Sequence, residues 1–111
     1  MEVFAKAGGR RWQVRQADTF WKRFKGLLGT KELPEDACLW LEPCDSVHMM
    51  GMRYALDIVY LDEKRRILKI VSHLTPPFGM SVCRAAQSAL EFRAGTAEKE
   101  GWYPGLTLHI E

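Results

Sequence analysis

The stretch at residues 56–74 reads LDIVYLDEKRRILKIVSHL, and it predicts the architecture of the chain. Residues 56–61 are leucine, β-branched or aromatic apart from Asp57, which is the composition of a buried strand. Asp62, Glu63 and Lys64 supply a polar turn, and residues 66–74 are again rich in isoleucine, leucine and valine. Two such runs joined by a short polar turn predict a β-hairpin.

Short runs of the same kind flank this hairpin along most of the chain. In chain order they lie at residues 1–6, 11–16, 37–41, 46–50, 90–92 and 106–110. Gly8-Gly9 predicts a hairpin turn between the first two, and Pro43, which cannot donate a backbone hydrogen bond, predicts a corner after the third. Many short strands predict a mainly β fold, either a jelly-roll-like sandwich or a small partly closed barrel.

One segment has the period of a helix instead. Its apolar residues fall on one helical face and its lysines and arginine on the other, with Asp18 as an N-cap and Gly29 as a terminator. The apolar stripe consists of Phe20, Trp21, Phe24, Leu27 and Leu28. The pattern predicts one amphipathic helix at about residues 19–28, packed across an opening or edge of the β structure.

Composition predicts a single domain spanning residues 1–111. The chain is 47% hydrophobic and 27% charged, as ordinary folded domains are. A net charge of +2 gives no electrostatic reason to expect nucleic acid or an anionic membrane as a partner, and no cofactor is predicted. Since residues 1–12 contain no apolar signal segment and no apolar run reaches the ~20 residues of a membrane helix, we expect a cytoplasmic protein with reduced thiols.

Three segments carry a family resemblance. Residues 24–29 read FKGLLG, residues 47–62 read VHMMGMRYALDIVYLD, and residues 89–97 read ALEFRAGTA. They resemble, in order, the R-x-x-G-L-M/L, V-H-T-x-x-M-R-F-P-I-D-V-V-F-L-D and V-L-E-L-P-A-G-T-A segments of the bacterial and archaeal family catalogued as domain of unknown function 192. The resemblance runs from about residue 20 to residue 108. It implies a mostly β, jelly-roll-like sandwich or barrel with one helix, and it implies no particular activity.

The chain departs from this family pattern at three places. Met49 stands where the family has threonine, and Ala55-Leu56 replaces its Pro-Ile. Leu106 follows Gly105 where the family usually has aspartate. If that aspartate serves a site in other members, the site is altered in this chain.

Polar side chains inside the central segment predict a pocket. We expect it around His48, Met52 and Asp57, because a polar cluster lies here inside an apolar segment that also carries the family resemblance. The complete candidate set is His48, Met52, Asp57, Cys44, Glu91 and Cys83. The absence of a convincing catalytic set favours a non-catalytic binding or accessory module with a small molecule or a protein as its partner.

Two enzymatic alternatives stay open on the same residues. Cys44, His48, Met50 and Met52, with Cys83 or His73, offer the soft ligands that suit Cu(I) or Zn(II), which suggests a metal-dependent hydrolase. Cys44 with His48 and Asp57 suggests a cysteine-based hydrolase. No paired C-x-x-C or H-x-x-x-H motif fixes either geometry, so the residues favour a packed core, with Asp57 as a structural carboxylate and no bound metal.

A third alternative is a structural or interaction protein without a pocket. The four tryptophans bear on it: Trp21 and Trp40 are predicted in the core, whereas Trp12 and Trp102 have more polar neighbours. If those two are half exposed, they could stack on a sugar ring or on an apolar group of a partner. The apolar loop at residues 76–80 predicts either the rim of a pocket or a closed end of the barrel.

Overall fold

The computed structural model describes residues 1–17 and 33–111, and it is mainly β as predicted. The predicted helix at about residues 19–28, with Trp21, lies outside the described residues. Within them the elements are β1 (Glu2–Phe4), β2 (Arg11–Ala17), β3 (Ala37–Leu41), β4 (Ser46–His48), β5 (Leu56–Leu61), β6 (Ile67–Leu74), β7 (Met80–Val82), β8 (Ser88–Arg93), the helix α1 (Thr96–Glu100) and β9 (His109–Ile110).

Seven strands form one sheet in the order β6-β5-β8-β3-β2-β1-β9, and β4 pairs with β7 in a small second sheet. The predicted hairpins β1–β2 and β5–β6 are present and antiparallel. β5 pairs on its other side with β8, also antiparallel, whereas β2 and β3 run parallel. The chain leaves the large sheet after β3 at Pro43, as predicted, and enters the two-stranded ribbon.

The two edges of the large sheet approach each other. The Ile67 N–H donates to the Leu106 carbonyl at 2.8 Å, and the Leu108 N–H donates to the Arg65 carbonyl at 2.9 Å. Arg66 and Thr107 form an isolated antiparallel bridge between these bonds. The sheet therefore curls into a partly closed barrel, the second of the two predicted architectures.

Successive side chains of β5 point to opposite faces of the sheet and so enter different cores. Val59 and Leu61 enter the first core, whereas Ile58 and Tyr60 enter the second. In the first core the rings of Trp12, Phe92 and Trp102 pack edge to face, with centroids 5.0–5.5 Å apart. The remaining buried members of the first core are Val3, Cys38, Trp40, Ile67, Leu90, Ala97, Leu108 and Ile110.

The turn between β5 and β6 is set by Asp62. Its Oδ1 accepts the backbone N–H groups of Lys64 and Arg66 at 2.8 and 2.9 Å, and its Oδ2 accepts the Arg66 Nε–H at 2.9 Å. These bonds favour the ionised carboxylate, and the one from the Arg66 backbone N–H contributes most to lowering the pKa of Asp62. The residues that predicted the turn thus form it through this carboxylate.

The sequence missed two short elements. β7 has three residues and α1 has five, which is too short for either periodicity to be visible. The predicted strand at residues 46–50 ends at His48, because the Met52 N–H donates to the Met49 carbonyl and closes a turn there. Among the described residues, no helix has the length and apolar character to cross a bilayer.

Candidate functional site

Asp57 is completely buried, and its carboxylate accepts hydrogen bonds from three backbone N–H groups. Its Oδ1 accepts the His73 N–H at 3.0 Å, and its Oδ2 accepts the N–H groups of Gly95 and Ala97 at 3.1 and 2.9 Å. The carboxylate thereby joins β5, β6 and the start of α1. These three donors supply the partners that a buried carboxylate requires, which is the structural role considered for Asp57.

The turn that Asp57 holds needs glycine at residue 95. Gly95 has φ of 95°, in the left-handed region that residues with a Cβ rarely adopt. Thr96 follows, and its Oγ1 donates to the Arg93 carbonyl at 2.6 Å. The AGTA segment that resembles the family pattern is therefore a tight connection from β8 into α1. The Asp57 carboxylate holds it through the N–H groups of Gly95 and Ala97.

Four of the predicted site residues lie around the second core. Met52 belongs to this core, and Cys44 and Cys83 pack against it. Glu91 is fully buried on β8, on the same face as Ala89. Tyr60 lies in the same region as Glu91. The structure therefore brings four predicted residues to one side of the sheet: Cys44, Met52, Cys83 and Glu91.

Tyr60 is the polar centre of this region. Its hydroxyl group donates to the Ser81 carbonyl at 3.1 Å and lies 2.5 Å from the Ser81 Oγ. Burial is the largest cause that raises the pKa of Tyr60, and the nearby acidic groups of Cys44, Cys83 and Glu91 raise it further, while the Ser81 hydroxyl lowers it. The arrangement keeps the phenol neutral and ties the ribbon to the large sheet.

His48 faces the other way. Val47 and Met49 on either side of it are buried in the second core, so alternation places His48 on the outer face of the ribbon, where it pairs with Met80. The structure thus separates His48 and Asp57 from each other and from the group around Tyr60. The six predicted residues occupy three places.

The described residues give little geometric support to the two enzymatic alternatives. Residues 1–17 and 33–111 contain no group of three or more His, Cys, Asp or Glu side chains placed to hold a metal ion. The Cys44 Sγ donates to the Ser46 carbonyl at 3.2 Å, while His48 lies on the outer face. Burial raises the pKa of Cys38 to about 12, which makes that thiol a poor nucleophile.

The outer face of the ribbon is apolar. Phe78 and Met80 are 86% and 70% exposed, and Met50 and Val82 are 64% and 45% exposed. Met80 and Val82 alternate with the buried Ser81, so they share the face that also carries His48. We call this surface the ribbon face.

A cleft lies beside the turn between β1 and β2. It has a volume of ≈ 400 Å³ and is lined by residues of β2, of the turn and of the segment after α1. Trp12 and Trp102 lie beneath its surface, and they are 1% and 9% exposed, so they pack rather than stand half exposed. The lining also includes Lys6, Arg10, Tyr103 and Leu106. We call it the tryptophan cleft.

A second cleft of ≈ 380 Å³ shares Arg10 with the first. Three cations line it, Arg10, Arg93 and Lys99, together with the carboxylate of Glu35. The guanidinium of Arg10 lies 4.7 Å from the centre of the Trp12 ring, which places it between an aromatic surface and a cationic one. We call this the cationic cleft.

The residues of these clefts carried no clear signal in the sequence. Arg10 belongs to a basic group that is typical of a solvated face, and the polar neighbours of Trp12 and Trp102 are compatible with either packing or half exposure. Arg93 and Lys99 lie far from Arg10 in the chain, yet the end of β8 and the helix α1 that follows it line the same cleft as Arg10. Alternation of exposed and buried residues does not reveal such a meeting.

Comparison with known proteins supports the fold. The sequence model of the family described as "Uncharacterized ACR", domain of unknown function 192, matches residues 3–110. The chain is 33% identical over 72 residues to a UPF0127 protein of Thermococcus sibiricus, covering 59% of this chain and 46% of that protein. A UPF0127 protein of Thermococcus kodakarensis is 36% identical over 73 residues, covering 60% and 46%. The chain spans about half the length of these curated relatives.

Two solved structures share the fold at 22% identity. A protein of unknown function from Novosphingobium aromaticivorans superimposes with a TM-score of 0.83, covering 98% of this chain and 82% of its own. A candidate transcription regulator from Sinorhizobium meliloti superimposes with a TM-score of 0.81, covering 97% and 89%. At this identity the likeness extends to the fold alone.

Proposed function

Because the chain belongs to the family catalogued as domain of unknown function 192, we propose its function from geometry. The chain is a non-catalytic module that binds a small molecule in the tryptophan cleft. The observation that carries the proposal is an open cleft in which the 58% exposed Tyr103 and the apolar Leu106 lie beside the guanidinium of Arg10, above the packed Trp12 and Trp102. Binding pockets typically combine apolar walls with a few convergent polar groups.

The size and polarity of the cleft define the ligand. A volume of ≈ 400 Å³ lies within the usual range for small-molecule sites and accommodates one ring system. Lys6 and Arg10 provide positive charge, and Glu100 provides negative charge in the same lining. An aromatic or other flat ring with an acidic group matches both the exposed Tyr103 ring and the cations.

The candidate catalytic groups support a non-catalytic role. Asp57 is committed to three backbone donors, and the Cys44 Sγ donates to a carbonyl while His48 lies on the outer face of the ribbon. Asp57 shares the first-core face of β5 with Val59 and Leu61, whereas Cys44 packs against the second core, so the carboxylate lies on the other side of the sheet from the thiol.

The test is a titration with phenyl phosphate, followed by the indole N–H signals in ¹H–¹⁵N NMR spectra. The signals of Trp12 and Trp102 should shift saturably, and the signal of Trp40, away from the cleft lining, should stay in place. Conservative Trp→Phe variants assign the signals, and Phe78→Ser on the ribbon face is the control that should leave the titration unchanged. No shift at about 10 mM, where even a weak complex is populated, would overturn the proposal.

A second candidate function rests on the ribbon face. Met80 and Val82 are exposed on one face of β7, Met50 and Phe78 are exposed in the loops that adjoin the ribbon, and exposed apolar patches commonly mark protein contacts. Lys69, whose Nζ donates to the Val82 carbonyl at 3.0 Å, and the exposed Arg84 lie at one end of it. The fitting partner is a protein with an apolar surface and acidic residues at its edge. Weak binding of an acidic amphipathic peptide that Met80→Ser abolishes would support this function, whereas equal binding to both proteins would remove it.

A further inference from the structure

Arg10 is fixed in place by contacts that do not involve the Glu35 carboxylate. Its Nη2 donates to the Glu35 backbone carbonyl at 2.9 Å, and its Nη1 lies 3.4 Å from the Glu100 carboxylate. Its guanidinium also lies over the Trp12 ring at 4.7 Å. A backbone carbonyl, a carboxylate and an aromatic face together orient this cation, so its position is set before any ligand arrives.

The Glu35 carboxylate is held much more loosely. Its Oε1 lies 3.8 Å from both the Arg10 Nη2 and the Lys99 Nζ, beyond hydrogen-bond length, and the side chain is 65% exposed. It therefore bridges two cations across the mouth of the cationic cleft without a short contact to either. Exposed pairs of this kind are weak and easily exchanged.

We infer that the cationic cleft is the anion subsite of the proposed ligand, and that Glu35 is an intramolecular carboxylate that a ligand phosphate or carboxylate displaces. The inference rests on the proposed binding in the tryptophan cleft, with which this subsite shares Arg10. Once Glu35 swings outward, Arg10, Lys99 and Arg93 line the same space. Guanidinium groups suit the geometry of phosphate and carboxylate oxygens.

The test compares Glu35→Gln with Glu98→Gln. Glu98 is an exposed acid on α1 that lines neither cleft, so both variants remove one negative charge but only one of them removes the bridge. The probes are phenyl phosphate, phenylacetate and the neutral benzyl alcohol, each titrated against the Trp12 and Trp102 indole signals. Glu35→Gln should tighten binding of the two anions about 3- to 5-fold, the scale of an exposed ion pair, and leave benzyl alcohol unchanged.

Three outcomes would overturn the inference, and a fourth would support it. An equal gain in both variants would assign the effect to overall charge and overturn the displacement by Glu35. Binding of all three probes with no gain in Glu35→Gln would overturn the subsite while leaving the tryptophan cleft as a binding site. Absence of any indole shift would overturn the proposed function and the subsite with it. A gain for phenyl phosphate alone, or for phenylacetate alone, supports the subsite and identifies which anion it takes.

Discussion

The ribbon end and the Arg10 end of the molecule use their polar residues in opposite ways. At the ribbon end, Tyr60 bonds with Ser81 inside the protein, and Cys44 donates to a backbone carbonyl. At the Arg10 end, Arg10 and Lys99 line open clefts and are matched by an acid that is 65% exposed. Residue types that suggest catalysis in a sequence can have their hydrogen bonds satisfied within the fold, while the proposed binding site consists of residues that carry no such signal.

Asp57 connects the two ends. It lies in the central segment that carries the family resemblance, yet its Oδ2 binds Gly95 N–H, and Gly95 lines the cationic cleft. Its carboxylate therefore supports one wall of the cleft from the interior. The comparison predicts that residues of the ribbon end and Asp57 govern stability, whereas residues of the Arg10 end govern binding.

The largest effect is expected from Asp57→Ala. The substitution leaves the N–H groups of His73, Gly95 and Ala97 without their acceptor in a buried site, at about 1–3 kcal/mol for each buried group. The free energy of unfolding should fall by about 3 kcal/mol or more, measured by urea denaturation followed by circular dichroism. Asp36→Ala, at an exposed aspartate, is the control and should change it by less than about 0.5 kcal/mol.

The next effect concerns Cys38 and alkaline pH. Because burial raises its pKa from 9.0 to about 12, the unfolded thiol ionises at a lower pH than the folded one, so its contribution to stability is complete below pH 9 and is lost as the pH rises toward 12. The unfolding free energy of the wild type, relative to Cys38→Ala, should decrease by about 2 kcal/mol from pH 8 to pH 10.5. A constant difference over this range would contradict the buried, neutral thiol.

A smaller effect is expected from Tyr60→Phe. Loss of the phenol oxygen removes the hydrogen bonds to Ser81 and should lower the unfolding free energy by about 1–2 kcal/mol. The double variant with Ser81→Ala should be less than additive, because the two hydroxyl groups share one bond. Strict additivity in chemical denaturation would show that the ribbon is held to the sheet by other contacts. Phenyl phosphate binding should be unchanged.

The smallest effect on stability is expected from Arg10→Gln. Its partners Glu35 and Glu100 lie at or near the surface, so the unfolding free energy should change by less than about 1 kcal/mol. Binding of phenyl phosphate should nevertheless weaken about 10-fold, which NMR titration measures. If the variant loses stability as Asp57→Ala does and binds normally, the proposed division between the two ends is wrong.

Much of the fold could be predicted because its signals are local. Residues 56–74 carry β-branched residues on both sides of a polar turn, and the structure has β5, Asp62 and β6 there. The same holds for β3, which occupies residues 37–41 as expected. The short β7 was missed because three residues inside a proline-rich loop show no periodicity.

The site could not be predicted in the same way. Alternation along a strand tells which residues share a face, but His48 and Asp57 are on different strands, and their separation depends on how the ribbon turns over the sheet. Arg10 and Lys99 are separated by almost the whole chain, and Glu35 lies between them in sequence. Their approach follows from the curl of the sheet and from the turn at Gly95.

By itself, the sequence determined a mainly β domain of this family, the central hairpin and the burial of its apolar faces, since these depend on composition and on period-two alternation. The tertiary structure alone decided the closure of the barrel through residues 65–67 and 105–108, the structural use of Asp57 and the meeting of Arg10 with the tryptophans. These features depend on contacts between distant segments, whose geometry is set by the curvature of the whole sheet rather than by any local pattern.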